Sequence, residues 1–148
     1  MAIATDIRRN DPANMVAGKH VTFFEEPDII YLKFNGEVSN DEGFELLRRQ
    51  LGYVEGRPRI FFLIDGENLE KIAPEARKAV AESLKEIPLH GMCVFAAPLK
   101  AKVITKLIIT AVNLFRKDSS LNQVAFFDTE QEARDWIAAR RQVTANGK

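Results

Sequence analysis

Three carboxylates, Asp65, Glu67 and Glu70, stand directly behind the apolar run IFFLI at residues 60–64. Acidic side chains at the carboxyl end of a buried parallel strand occupy the edge where α/β proteins build their sites, and such a set could hold a hard cation or trade a proton. The rest of the sequence completes neither arrangement. The next apolar strand ends in Ala96, Ala97 and Pro98, and only Asp128 follows the last one. Gly66 lacks the lysine of a phosphate-cradling loop, no serine sits on a nucleophile elbow, and no Cys–His spacing suggests a thiolate pair. His20 reads as a surface residue at a strand start and His90 as an exposed loop residue, neither at a zinc-ligand spacing. Cys93, inside GMCVFAA, reads as a buried thiol, because nucleophilic cysteines need an accessible, electropositive setting. These residues predict a chain that is not an enzyme, with no catalytic residue, no metal and no cofactor.

A second group is basic. In the stretch 99–116, Ile104, Leu107, Ile108, Ala111 and Phe115 recur at helical spacing, widened by Val103, Val112 and Leu114, while Lys102, Lys106 and Asn113 take the opposite side. Ile109 falls among the polar residues, and Lys100, Arg116 and Lys117 add charge at the ends. A basic amphipathic helix with a stray apolar residue on its outer face suits a lid, a partner or a membrane surface, with Lys102, Lys106, Ile109 and Arg116 as contacts. A helix that simply covers a sheet has the same pattern. Arg48 and Arg49 could grip a phosphate, but beside Asp41, Glu42 and Glu45 they read as a solvated face.

Period and breakers mark the elements that carry these residues. Residues 1–18 are polar and Pro-interrupted and predict a flexible arm; residues 143–148 predict a polar tail, with fraying expected from Arg140 onward. Between them, residues 19–142 form one domain. Val21 and Phe23, then Ile30, Leu32 and Phe34, alternate on either side of Glu26-Pro27-Asp28, which predicts an antiparallel hairpin toward one edge of a sheet. Asn35-Gly36 closes it, and Ser39 with Glu42 forms a capping box for a helix over about 40–53, its buried stripe being Phe44, Leu47, Leu51 and Val54. The unbroken apolar runs 60–64 and 92–97 suit strands covered on both faces. A turn from 65 to 73 leads to Pro74 and a helix with Ala76, Val80, Leu84 and Ile87 inward. Val124–Phe127 is the last strand, and Thr129 with Glu132 caps a final helix that Trp136 anchors. Strands alternating with helices require right-handed crossovers. The fold class is α/β: a five-stranded mixed, mostly parallel sheet with an N-terminal antiparallel hairpin and four main helices.

Composition sets further bounds. The 148 residues carry 21 basic and 21 acidic side chains, so net charge gives no general attraction to nucleic acid. One cysteine excludes an internal disulfide and suits a reducing compartment. The first residues lack the apolar core of a secretory signal, and no apolar run approaches the roughly 20 residues that span a bilayer. A cytoplasmic location without a transmembrane segment is the expectation; oligomeric state stays open.

The apolar strand ending in Asp65, the spaced Leu69 and Ile72, IAPEARKAV opening a helix, the strand 92–97, the basic-apolar helix from Lys100 and VAFFDTEQEARDWI together resemble the SpoIIAA-like branch of STAS domains, over about residues 19–142. The resemblance implies a non-catalytic regulatory or protein-binding module that docks a partner through Asp65, Glu67, Asn68, Glu70 and Pro74. Typical STAS domains present a phosphorylatable serine there, whereas residues 66–77 contain no Ser or Thr. The branch is also similar to Sec14-type lipid-binding folds, which implies an apolar small molecule or lipid, or peripheral membrane contact, through helix 99–116.

Overall fold

A computed structural model of the chain describes residues 2–84, 86–113 and 124–147. In chain order the elements are α1 (Ala2–Arg9), β1 (Met15–Val16), β2 (His20–Glu25), β3 (Ile29–Val38), α2 (Asn40–Val54), β4 (Ile60–Ile72), α3 (Pro74–Leu84), β5 (Leu89–Phe95), α4 (Leu99–Asn113), β6 (Val124–Phe127) and α5 (Glu130–Gly147). The strands form one sheet in sequence order. The pairs β1–β2 and β2–β3 are antiparallel; β3–β4, β4–β5 and β5–β6 are parallel.

The mixed, mostly parallel architecture is the one the element pattern implies, with one strand more than expected. The sixth is β1, two residues long, in which Met15 and Val16 pair with Val21 and His20. With α1 it makes the first residues part of the fold instead of an arm outside it: Arg8 lies over the Phe23 ring, and Arg9 reaches Glu130 on α5 at 3.0 Å. Such contacts are tertiary and leave no local period to read. At the other end α5 stays helical through Gly147, past the point where a frayed tail was expected.

Continuous apolar runs become the central strands, with Ile60, Phe61 and Leu63 of β4 fully buried and Cys93 of β5 likewise. Their side chains alternate between two cores. Ile30, Leu32, Ile60, Phe62, Met92 and Val94 face α2, α3 and α4. Phe23, Tyr31, Phe61, Leu63, Cys93 and Phe95 face Ala133 and Ile137 of α5. Burial pushes the Cys93 thiol up to about 12, so it is an inert core group.

Other differences have local causes. β3 does not stop at Asn35-Gly36; Gly36, at φ +89, lets the strand continue irregularly to Val38. Residues 65–72, polar enough to read as a turn, are strand paired along that extension, with Asn68 opposite Asn35 and Ile72 opposite Val38. The capping box of Ser39 and Glu42 is present, but α2 is rotated from its expected stripe: Leu46, Leu47 and Gln50 are buried while Phe44 and Leu51 are each 44% exposed. Gly43 explains the rotation. A Cβ there would lie 2.5 Å from the Cβ of Ala76, so α2 and α3 touch through Gly43. His90 lies half-buried in β5 instead of in an exposed loop, its ring 6.4 Å from Phe61.

Candidate functional site

The first candidate region is the far half of β4. Asp65, 7% exposed, turns toward the α5 side, where its carboxylate forms an ion pair with Lys33 Nζ at 3.4 Å and accepts from the Glu67 backbone N–H at 3.1 Å. Glu67 faces solvent, and exposed Asn68 donates to Asn35 Oδ1 at 2.9 Å. Glu70 pairs with Lys100 of α4 at 3.2 Å, and Pro74 opens α3 at the surface. The three carboxylates therefore point three ways. Among the described residues no three His, Cys, Asp or Glu side chains converge.

The second region is α4, and here the rotation again differs from the sequence expectation. Ile109, expected outside, is buried at 6% exposure, together with Ala101 and Val112 at 0%. Leu107 and Val103, expected inside, are 55% and 49% exposed, and Leu99 is 77% exposed. Ile104, Ile108 and Ala111, expected inside, do pack against the core, while Leu99, Val103 and Leu107 form a row at four-residue spacing on the outer face. Both stripes satisfy helical periodicity, so periodicity alone could not choose between them. The close crossing out of β5 contributes: a Cβ on Gly66 would lie 2.9 Å from Val94 Cγ1 and 3.0 Å from Ala97 Cβ. Lys102 and Lys106 lean to the edge of the row, with their ammonium groups 5.8 and 5.6 Å from the centroid of the Phe126 ring. Arg116 lies outside the described residues.

Between the sheet and α2, α3 and α4 lies an apolar cavity of about 70 Å³. Gln50 of α2, Leu84 of α3 and Thr105 and Ile108 of α4 close it over Phe62 and Met92 of the sheet. The Thr105 hydroxyl donates to the Ala101 carbonyl at 2.9 Å, leaving its methyl group for the apolar lining. Beside the cavity a groove of about 370 Å³ runs between α3 and α4, walled by Pro74, Arg77, Lys78, Ala81, Leu107 and Ala111. This groove unites the two candidate regions at Pro74 and Leu107. Leu99, Val103, Leu107, Arg77 and Lys78 were not singled out from the sequence as site residues; Val103 and Leu107 belong to the stripe expected to face inward.

A buried polar contact secures α2 near this face. His20, expected at the surface, is 0% exposed; its Nδ1 accepts from the Asn35 N–H at 3.1 Å and its Nε2 donates to Glu42 Oε1 at 3.0 Å. Burial lowers the His20 pKa, against the raising effect of Glu42. At Glu42 burial works upward, but donors from Ser39, His20 and Lys19 hold the carboxyl below its usual range.

No family profile and no curated protein matches the chain. A solved structure does: an uncharacterised protein of the DUF3478 family with a SpoIIAA-like fold, from Shewanella loihica PV-4. It is 16% identical, with a TM-score of 0.57 over 80% of this chain and 93% of that one. At that identity the likeness shows the fold, a SpoIIAA-like α/β domain. Among the described residues no helix is long and apolar enough to cross a membrane.

Proposed function

We propose that this chain is a non-catalytic, STAS-like binding module that takes an apolar ligand, of the lipid or fatty-acid class, between the sheet and the layer of α2, α3 and α4. The observation that carries the reading is the apolar cavity of about 70 Å³ there. Such a volume equals about two water molecules at roughly 30 Å³ each, too little for an acyl chain without movement, yet a core packed to the usual density leaves few voids larger than one water. A shift of α4, which closes one end of the cavity with Thr105 and Ile108, would supply the room; Val103 and Leu107 already stand in solvent and lose nothing, while Ile108 and Ile109 are the inward contacts that the shift would loosen.

A second reading, docking of a partner protein through Pro74 and the neighbouring strand end, is favoured by the groove between α3 and α4 with Arg77 and Lys78 on its wall. One set of variants separates the two. Ile108→Trp fills the cavity; Leu107→Asp alters the outer row and the groove wall and leaves the cavity lining unchanged. A fluorescent fatty acid titrated into the protein should bind the unmodified chain and Leu107→Asp, and bind Ile108→Trp at least about tenfold more weakly. Equal binding by all three, or none by any, removes the cavity reading and leaves the partner-docking one.

A further inference from the structure

On the α5 side of the sheet the rings of Phe23 and Tyr31 stack, their centroids 4.8 Å apart and their planes 12° from parallel. Two consecutive side chains of α1 cover this ledge: the Arg8 guanidinium lies 5.1 Å from the Phe23 centroid, and that of Arg9 lies 5.1 Å from the Tyr31 centroid. Arg9 also donates to both carboxylate oxygens of Glu130, at 3.0 and 3.3 Å. We infer that the two rings and Glu130 form a docking site for an Arg-Arg segment of a partner protein, which Arg8 and Arg9 occupy in cis as a displaceable strap.

The seat stands without the strap. Arg134 donates to Glu130 at 2.9 Å and to Glu25 at 2.7 and 3.1 Å, so both carboxylates stay fixed when Arg9 leaves. What the seat then lacks is positive charge: three carboxylates, Glu25, Glu130 and Asp65, face two cations, Arg134 and Lys33, an excess of one negative charge. The strap itself is lightly held. Among the described side chains of α1 none joins either core, and Ile7 is 66% exposed. Closure also leaves Arg9 Nε and the Tyr31 hydroxyl buried with no partner among the described residues, whereas most buried polar atoms in folded proteins are paired. Lifting α1 hydrates both atoms and bares the rings. A flat guanidinium can stack on a ring while it pairs with a carboxylate, which an ammonium cannot match, so the seat selects arginine over lysine. Occupation in cis lowers the apparent affinity for a partner in proportion to the fraction of chains that are open.

The test uses the full chain and the peptide acetyl-Gly-Arg-Arg-Gly-amide, with acetyl-Gly-Lys-Lys-Gly-amide as the equal-charge comparison, titrated while the Tyr31 ring signals are followed by NMR. Arg9→Ala removes the occupant and should bind the arginine peptide saturably, at least about tenfold more tightly than the unmodified chain does, and in preference to the lysine peptide. Adding Glu130→Gln to Arg9→Ala should weaken that binding by about tenfold, the worth of a charge-assisted contact; adding Glu70→Gln, which removes the same charge elsewhere, should not. Ile7→Pro breaks α1, leaves the seat intact and should open the site in the same way, so it replaces Arg9→Ala if that variant does not fold. Absence of saturable binding to the opened variants, affinity no higher than that of the unmodified chain, or equal binding of the lysine peptide overturns the assignment.

Discussion

The two faces of the sheet are built differently. On the α5 side, helix and sheet are cross-braced: Arg59 and Arg141 both engage Asp28, which is 3% exposed, and Arg134 links Glu25 to Glu130 at 2.7 and 2.9 Å. Trp136 packs so tightly on β5 that a Cβ at Gly91 would sit 2.8 Å from its ring. On the other side α4 is tied to the sheet edge by Lys100 and Glu70, whose side chains are both more than half exposed, and such a pair contributes little. That face also holds the cavity. One face is thus a rigid support and the other an adaptable cover, the division a binding module needs if a ligand is to enter without unfolding it.

The comparison breaks most readily at its rigid end. Phe61 is fully buried between the strands and α5, so Phe61→Ala should cost about 3–5 kcal/mol. Urea denaturation with an unchanged slope would measure this; a loss below about 1 kcal/mol would mean the α5 face tolerates voids as the other face does. Adding volume should separate the faces by sign. Ala133, 0% exposed, has no room beside it, and Ala133→Val should destabilise by about 1–3 kcal/mol. Val80 borders the cavity, and Val80→Ile should be neutral or stabilise by up to about 0.8 kcal/mol, the worth of one buried methylene. Paired thermal melts decide it, and equal destabilisation by both substitutions would show that the cavity has no usable space.

Signals confined to a few neighbouring residues were legible in the sequence. The capping boxes at Ser39 and Thr129 form as written, with each hydroxyl receiving the N–H of Glu42 or Glu132 at 3.1 and 3.2 Å. The apolar runs entering β4 and β5 became the buried centre because no polar face interrupts them. What stayed hidden depended on pieces distant in the chain. β1 exists only as a partner of β2, the outer half of β4 only because β3 runs alongside it, and His20 is buried only because Asn35 and Glu42 arrive to receive both ring nitrogens. The candidate site divides in the same way. Pro74 borders the groove between α3 and α4, Lys102 and Lys106 lie over Phe126 on the other side of α4, and the residues that give the outer face of α4 its apolar character are Leu99, Val103 and Leu107, not Ile109. A helix with two apolar stripes needs the sheet beneath it to decide which turns inward.

The smallest expected effect concerns that same His20. Its ring packs edge-on to Phe34, 6.1 Å away, on the side of the sheet that α2 covers, and Glu42, Lys19 and the Glu37 backbone are the groups that act on its charge. The folded chain holds its pKa below the ordinary 6.5, mainly through burial, so the folded state resists a proton that the unfolded state accepts. The sign follows: the stability contributed by neutral His20 is fully present above about pH 6.5 and is lost as pH falls from there through the lower folded value, at no more than about 1.4 kcal/mol per pH unit. Geometry adds to burial, since a proton on Nδ1 would oppose the Asn35 N–H that now donates to it. Glu42, whose folded pKa is also depressed, adds its own loss at still lower pH, below the usual carboxylate range. Hydrogen exchange at pH 7.5 and 5.5, corrected for intrinsic rates, should show α2 loosening more than α5 in acid. His20→Gln should flatten the first step and keep the second. If α2 and α5 loosen equally, or the glutamine variant retains the first step, the acid response belongs to the whole fold and not to the adaptable face.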